Sequence, residues 1–249
     1  GMDSSGLKIL AVDASTTSGS VALLEGERLA AEWTFHSAIA HNRRLLSSID
    51  SMLRRVGWSM EEMDGFAVTS GPGSFTGVRI GMSTVKTLAW ALGKPFVGVP
   101  TLDALAASLA FYSGPVCAIL DARKGEVYYA LYRSDGKGGI VRESHYKVGA
   151  PERLAEDIHE RALFCGDGWA PHRKFLLERL GALATEAPGP FHMVRAGFVA
   201  AMAFDRIIKG DVDDPMTSAP IYVRPSEAEL KFPEIAAAAA VTQIKGGGL

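Results

Sequence analysis

Val12-Asp13-Ala14 leading into Gly19-Ser20-Val21-Ala22-Leu23 is echoed in the second half of the chain by Leu120-Asp121-Ala122 leading into Gly125-Glu126-Val127-Tyr128-Tyr129-Ala130-Leu131. Each copy reads as an apolar strand ending in Asp-Ala, a turn, and a second apolar strand. Working outward from the first copy, hydrophobic periodicity gives strands over Lys8 to Asp13, Gly19 to Leu24 and Arg28 to Thr34, with Ser18-Gly19 and Gly26 as turn residues. A helix follows from about His41 to Val56, with Leu45, Leu46, Ile49, Met52, Leu53 and Val56 at helical spacing and Gly57 as its stop. The run Phe66 to Thr69, a Gly-Pro-Gly turn, a helix from about Thr76 to Leu92, the run Phe96 to Val99 and a helix from Thr101 to Tyr112 complete the order βββαβαβα.

Outward from the second copy, strands are expected near Val116 to Asp121, Glu126 to Tyr132 and Arg142 to Val148, then a helix from Pro151, a strand at Leu163 to Cys165 and further helices. A βββαβαβα unit used twice is the architecture of ribonuclease-H-like double domains, the actin-like (ASKHA) class, with a mixed central sheet in each lobe. The expected division is a first lobe over 1–108 and a second over 109–233, with the last helix a candidate to return to the first lobe. The stretch 234–249, with its alanine run and closing glycines, reads as a low-complexity tail.

The chain has 249 residues, 47% apolar, with 26 basic against 28 acidic side chains and a net charge of −2. That composition excludes disorder, collagen and a small disulfide scaffold. It also argues against coating nucleic acid by bulk charge, so any RNA contact must be local or shared with a partner. Cys117 and Cys165 are isolated and suggest neither zinc nor redox chemistry, and a reducing cytoplasm is expected. No basic region or cleavage site precedes Lys8, so no signal peptide is expected. Purely apolar runs stop at seven residues (198–204 and 235–241), well short of the roughly 18 to 20 that a membrane span needs.

Asp13, Ser15 and Thr16 lie in the first turn, where a carboxylate and hydroxyls can meet a metal-bound phosphate, as in the first phosphate loop of the actin-like class. The same residue types also satisfy turn amides without any ligand. The second loop of that class is glycine-paired, but here the equivalent hairpin reads Asp121-Ala122-Arg123-Lys124-Gly125-Glu126. ATP hydrolysis by this chain alone is therefore not expected. The stretch Ser70 to Gly81, SGPGSFTGVRIG, lacks a Walker lysine. Its Gly73, Gly77 and Gly81 read either as a close-packing stripe or as part of an anion site at a helix N-terminus, and composition favours packing. The six histidines form no His-x-x-x-His or His-Glu-x-x-His pattern, and no Gly-x-Ser-x-Gly elbow occurs, so neither a metal centre nor a serine hydrolase is indicated.

Ile9 to Asp13 with Ser20 to Leu23, the stretch Gly71 to Gly81, Gly98-Val99-Pro100-Thr101-Leu102, Asp121 to Tyr128 and Pro220-Ile221-Tyr222-Val223-Arg224 together resemble the bacterial TsaB (YeaZ) proteins of the glycoprotease-like family. The resemblance spans nearly the whole chain except the tail beyond Pro233. It implies the non-catalytic partner of TsaD, the subunit that transfers a threonylcarbamoyl group to adenosine 37 of ANN-decoding tRNAs, with the small ATPase TsaE as a third component and tRNA met through the complex. It also implies that the catalytic paralogue's His-x-x-x-His pair corresponds to the segment Val99 to Ala106, which holds no histidine here.

No intrinsic cofactor is expected, with ATP or ADP at the interface with the partner as the open alternative, and a homodimer as a state of the chain when alone. Two other readings stay open: a metallopeptidase or actin-like small-molecule kinase, and a homodimeric scaffold for a different partner such as a secreted factor. The partner-facing surface is expected on the helices 41–56 and 76–92, at His41, Arg44, Ser48, Gly73, Gly77, Arg79 and Gly81. At least one of Gly77→Ala and Gly81→Ala is expected to leave the lone protein as stable as before while weakening the partner complex.

Overall fold

The computed structural model describes residues 3–36 and 42–223. The described residues divide into two compact units, one formed by the stretch up to residue 104 together with 194–221, the other by 105–193 with 222–223. The expected boundary at 108/109 thus falls a few residues earlier, and the stretch 234–249 lies outside the described residues.

In the first unit, strands β1 (Lys8–Asp13), β2 (Gly19–Glu25), β3 (Arg28–Phe35), β4 (Gly65–Thr69) and β5 (Phe96–Val99) form one sheet in the order β3-β2-β1-β4-β5. β1 runs antiparallel to β2 and parallel to β4, and β4 runs parallel to β5. Helices α1 (Asn42–Val56) and α2 (Phe75–Leu92) supply Leu45, Ile49, Met52, Val78, Met82 and Val85 to a core with Leu10, Val12, Leu23 and Phe66. The other face of the same sheet is covered by a helix near the end of the described chain, named α6 below (Ala196–Ile208). Covering on both faces explains why β4 is buried at every position and reads as an uninterrupted apolar run. α2 starts where the Ser74 hydroxyl accepts from the Gly77 N–H at 3.2 Å and stops at Gly93, whose φ of 62° favours glycine.

The second unit holds β6 (Val116–Arg123), β7 (Glu126–Ser134), β8 (Ile140–Arg142), β9 (Lys147–Gly149), β10 (Ala162–Cys165) and β11 (Ala184–Glu186), in the order β11-β10-β6-β7-β8, with β9 also pairing β7. The antiparallel and parallel senses repeat those of the first sheet strand for strand. The repeat that two short sequence echoes indicate is therefore a duplicated α/β lobe. Its core gathers Ile119, Val127, Tyr129 and Phe164 under α4 (Pro151–Glu156) and α5 (Trp169–Leu180).

Two elements differ from the sequence reading. The helix expected over Thr101 to Tyr112 is α3 (Thr101–Ala107), because the Ser108 hydroxyl donates to the Leu105 carbonyl at 2.8 Å and the chain turns there. The strand expected over 142–148 is broken into β8 and β9, with residues 143–146 between them.

Candidate functional site

The β1–β2 turn brings Asp13, Ser15 and Thr16 together, as the sequence indicates, but folds two of them inward. Asp13 is fully buried and Ser15 nearly so. The Asp13 Oδ1 accepts from the Ser15 N–H at 3.2 Å, from the Ser15 hydroxyl, and from the Thr69 hydroxyl at 2.7 Å across from β4. Thr16 closes its own turn, accepting from the Ser18 N–H at 3.1 Å. The Ser15 and Thr69 hydroxyls that donate to Asp13 are not offered to a phosphate in this arrangement.

The loop from β4 to α2 is fixed to the same turn. The Ser74 N–H donates to the Ser15 carbonyl at 2.7 Å, Ser70 N–H to Val99 O at 2.9 Å, and Ile221 N–H to Ser70 O at 2.8 Å. A methyl on Gly73 would lie 2.2 Å from the Ser15 carbonyl oxygen, and one on Gly77 2.0 Å from that of Ala14. At Gly81 the nearest atoms are the Ala14 Cβ and Val68 Cγ2, both at 3.4 Å. The three glycines therefore sit against this protein's own first turn. At Gly77 an added methyl meets a backbone carbonyl, so of the two substitutions expected to include a harmless one, Gly81→Ala is the one the packing leaves room for.

Of the other residues expected to face a partner, those described lie on α1 and α2. Arg44 is exposed and Ser48 half-buried on α1, while His41 lies outside the described residues. Arg79 is exposed on α2 and stacks over the Phe75 ring at 4.8 Å. Phe75 and Trp90, 59% and 65% exposed, stand near the two ends of this face. Arg79, Ser83, Lys86 and Trp90 line a groove of about 460 Å3, closed on its far side by Pro215, Met216 and Pro220. The sequence places Arg79 on the expected partner-facing surface but not the aromatic ends of this face. Their positions at 75, 79, 83, 86/87 and 90 repeat every three or four residues, which is the signal that identifies one helix face.

In the second unit the equivalent turn is built differently. Its Asp121 is exposed and accepts from the Arg123 N–H at 2.8 Å, with Arg123 and Lys124 at φ of 64° and 52°, the left-handed region that few non-glycine residues adopt. The Asp121 N–H donates to Asp167 Oδ1 at 2.9 Å. Burial, joined by the nearby Asp121 charge, holds the Asp167 carboxyl above its ordinary value despite that hydrogen bond. Beside it, a methyl on Gly166 would lie 1.9 Å from the Ile119 carbonyl oxygen. His192 accepts from the Gly166 N–H at 3.1 Å through Nδ1 and donates through Nε2 to Ala187 O at 2.8 Å, which makes it a structural tie. Among the described residues no group of three or more His, Cys, Asp and Glu side chains is placed to hold a metal ion. No helix of the described residues is long and apolar enough to cross a membrane.

The family model for TsaD, tRNA N6-adenosine threonylcarbamoyltransferase, matches residues 36–232. The chain belongs to this family. Within it the chain is similar to the TsaB proteins. It is 29% identical to "tRNA threonylcarbamoyladenosine biosynthesis protein TsaB" of Bacillus subtilis over 92% of this chain and 99% of that one. It is 31% identical to the TsaB of Haemophilus influenzae over 91% and 98%. The solved structure of YeaZ from Pseudomonas aeruginosa superposes with a TM-score of 0.75 at 29% identity, covering 87% of this chain and all of that one. On these matches the chain is a TsaB (YeaZ) member of the TsaD family. The segment 99–106, where the resemblance puts the paralogue's metal-binding histidines, runs from the end of β5 into α3, with Thr101 fully buried and its N–H on the Gly71 carbonyl at 3.0 Å. With no histidine in it, this segment does not fit a metal centre.

Proposed function

We propose that this protein acts in the formation of threonylcarbamoyladenosine in tRNA as the non-catalytic subunit that binds and activates a TsaD-type transferase, with a TsaE-type ATPase as a further partner. The biosynthetic role follows the names of its relatives and of its family. The observation that carries the activating role is the closed first turn, where the Ser15 and Thr69 hydroxyls both donate to Asp13 Oδ1 and Ser74 ties the start of α2 to Ser15. A site that stabilises developing charge needs donors aimed at a reacting atom, and here those donors are spent inside the protein.

What the chain presents outward is the long face of α2 with Phe75, Arg79 and Trp90, beside α1. An exposed aromatic and arginine face of this kind suits a specific interface, which buries about 1,200 to 2,000 Å2 in total. Nucleotide belongs in this reading only at the surface shared with the transferase. A reconstituted assay of threonylcarbamoyl transfer to an ANN-decoding tRNA tests the proposal. Product is expected from the TsaD-type and TsaE-type subunits together with this chain, and none from this chain alone. Transfer by the purified chain alone above a no-protein control, or full activity without it, overturns the reading.

A further inference from the structure

The third strand of the first lobe, β3, is one continuous strand of eight residues along β2. Its counterpart in the second lobe is interrupted. β8 pairs β7 at Tyr132 to Ser134 and β9 pairs it at Val127 to Tyr129, leaving Ala130 and Leu131 opposite the break. The ladder is bridged there by a side chain, since the Leu131 N–H donates to the Ser144 hydroxyl at 2.9 Å while the Glu143 N–H donates to the Leu131 carbonyl at 2.8 Å. Interrupting an edge strand exchanges backbone pairing for a shaped surface. Here that surface is a pocket of about 320 Å3 lined by Arg142, Glu143, Ser144, His145 and Lys147.

Three of the five lining side chains carry nitrogen donors. The Arg142 guanidinium lies 4.0 Å over the Tyr146 ring and donates to the Ser144 carbonyl at 2.8 Å, which fixes its plane. Arg142 makes no ion pair among the described residues. Lys147 is paired with Asp157 at 2.9 Å, and the one lining carboxylate, Glu143, is held by Arg133 at 2.8 Å. His145 Nδ1 is buried without a hydrogen-bond partner, leaving Nε2 as the ring nitrogen that a ligand can meet. Burial, then the charges of Arg142 and Lys147, hold this imidazole below its ordinary pKa.

We propose that the pocket at the break between β8 and β9 holds a backbone phosphate of RNA, with the planar Arg142 guanidinium as the forked donor and His145 and Lys147 beside it. An oriented, ring-stacked guanidinium matches a phosphodiester, and such contacts position an RNA without reading its sequence. The choice of RNA over a free anion rests on the role in tRNA modification proposed above. The contact is local, as the chain's net charge of −2 requires.

A fluorescently labelled ANN-decoding tRNA titrated with the full chain over a range of salt tests this. Arg142→Gln and His145→Gln should each weaken binding at least fivefold, and Arg142→Gln should lower the slope of log K against log salt by about 0.9, the loss of one phosphate contact. Arg28→Gln, an equal charge change on β3 of the other lobe, should leave affinity and slope unchanged, and all three variants should melt with the wild type. The His145 ring signals in the NMR spectrum should move on adding tRNA. Undetectable tRNA binding by the wild type, equal effects at Arg28 and Arg142, or displacement of tRNA by inorganic phosphate at an equal phosphate concentration each overturn the inference. The transfer assay with wild-type protein answers the functional proposal separately, so a wild type that supports transfer while Arg142→Gln binds tRNA normally refutes this pocket alone.

Discussion

The two lobes share a strand order and the same close approach of a loop to the end of their first strand, yet they finish that end in opposite ways. In the first lobe Gly73 and Gly77 let α2 press on the carbonyls of Ser15 and Ala14, and Asp13 is sealed beneath by Ser15 and Thr69. In the second, Gly166 and Gly168 let the loop before α5 press on Ile119 and Leu120, but the equivalent aspartate, Asp121, stays exposed on a turn that carries Arg123 and Lys124. The difference teaches that the scaffold repeat preserves the glycine packing while the chemistry of the turn is free to change. In the first lobe the polar groups have become part of the core, and the outward-facing material is helical. In the second, the edge is opened and positively charged side chains line the opening.

The largest expected effect addresses the shared feature. Gly77→Ala and Gly166→Ala each drive a methyl deep into a backbone carbonyl, at 2.0 and 1.9 Å, with Gly166 also at a φ of 123°, and each should lower stability by about 3 kcal/mol or more in thermal or urea melts. Gly81→Ala meets only side-chain carbons at 3.4 Å, and the better helix propensity of alanine, about 1 kcal/mol, should offset the crowding. A stability loss at Gly81 as large as at Gly77 would break the assignment of the stripe to the Ser15 and Ala14 carbonyls.

The next effect separates the aspartates. Asp13→Ala strands the Ser15 and Thr69 hydroxyls in the core and should cost about 2 kcal/mol, whereas Asp121→Ala, on the exposed turn, should cost about 0.5 kcal/mol. Equal costs in equilibrium denaturation would contradict the contrast between a sealed turn and an open one.

A smaller effect carries a pH signature. Because burial and Asp121 raise the folded-state value of Asp167, this group contributes most to stability below the ordinary carboxylate value of 3.8, and that contribution is lost as pH rises through the raised value. Asp167→Asn keeps an oxygen to accept the Asp121 N–H and removes the buried charge. The variant should therefore melt above the wild type at pH 7, with the gap closing as the pH falls toward 3.8. A gap that stays constant with pH would show that Asp167 is not held away from its ordinary value.

The first lobe is the more legible in the sequence, for a physical reason. Its strands β1, β2 and β4 are buried almost throughout, and Gly26, Gly57 and Gly93, all at positive φ, punctuate the lobe, so apolar runs and stops coincide with elements. The break at 143–146 has no glycine or proline, because the Ser144 hydroxyl takes over a backbone role that no local pattern announces. At the early end of α3 the backbone tightens into turns, with Leu109 N–H on Ala106 O and Ala110 N–H on Ala107 O, a change that the apolar pattern does not mark. At the candidate site, Asp13, Ser15 and Thr16 have the residue types of a phosphate loop, and the partner that Asp13 finds on turning inward is Thr69, 56 positions away. The glycine stripe announces close packing without naming its neighbour, and the aromatic ends of the α2 face become visible only when exposure is known.

Hydrogen exchange of the full chain with and without the TsaD-type subunit tests most directly the claim that this protein works through its outward helices and not through its own turn. The account predicts slowed exchange along α1 and α2, centred on the stretch from Phe75 to Trp90, with the already sealed amides around Asp13 to Ser15 unchanged. Unchanged protection throughout α1 and α2 in the bound state would contradict it.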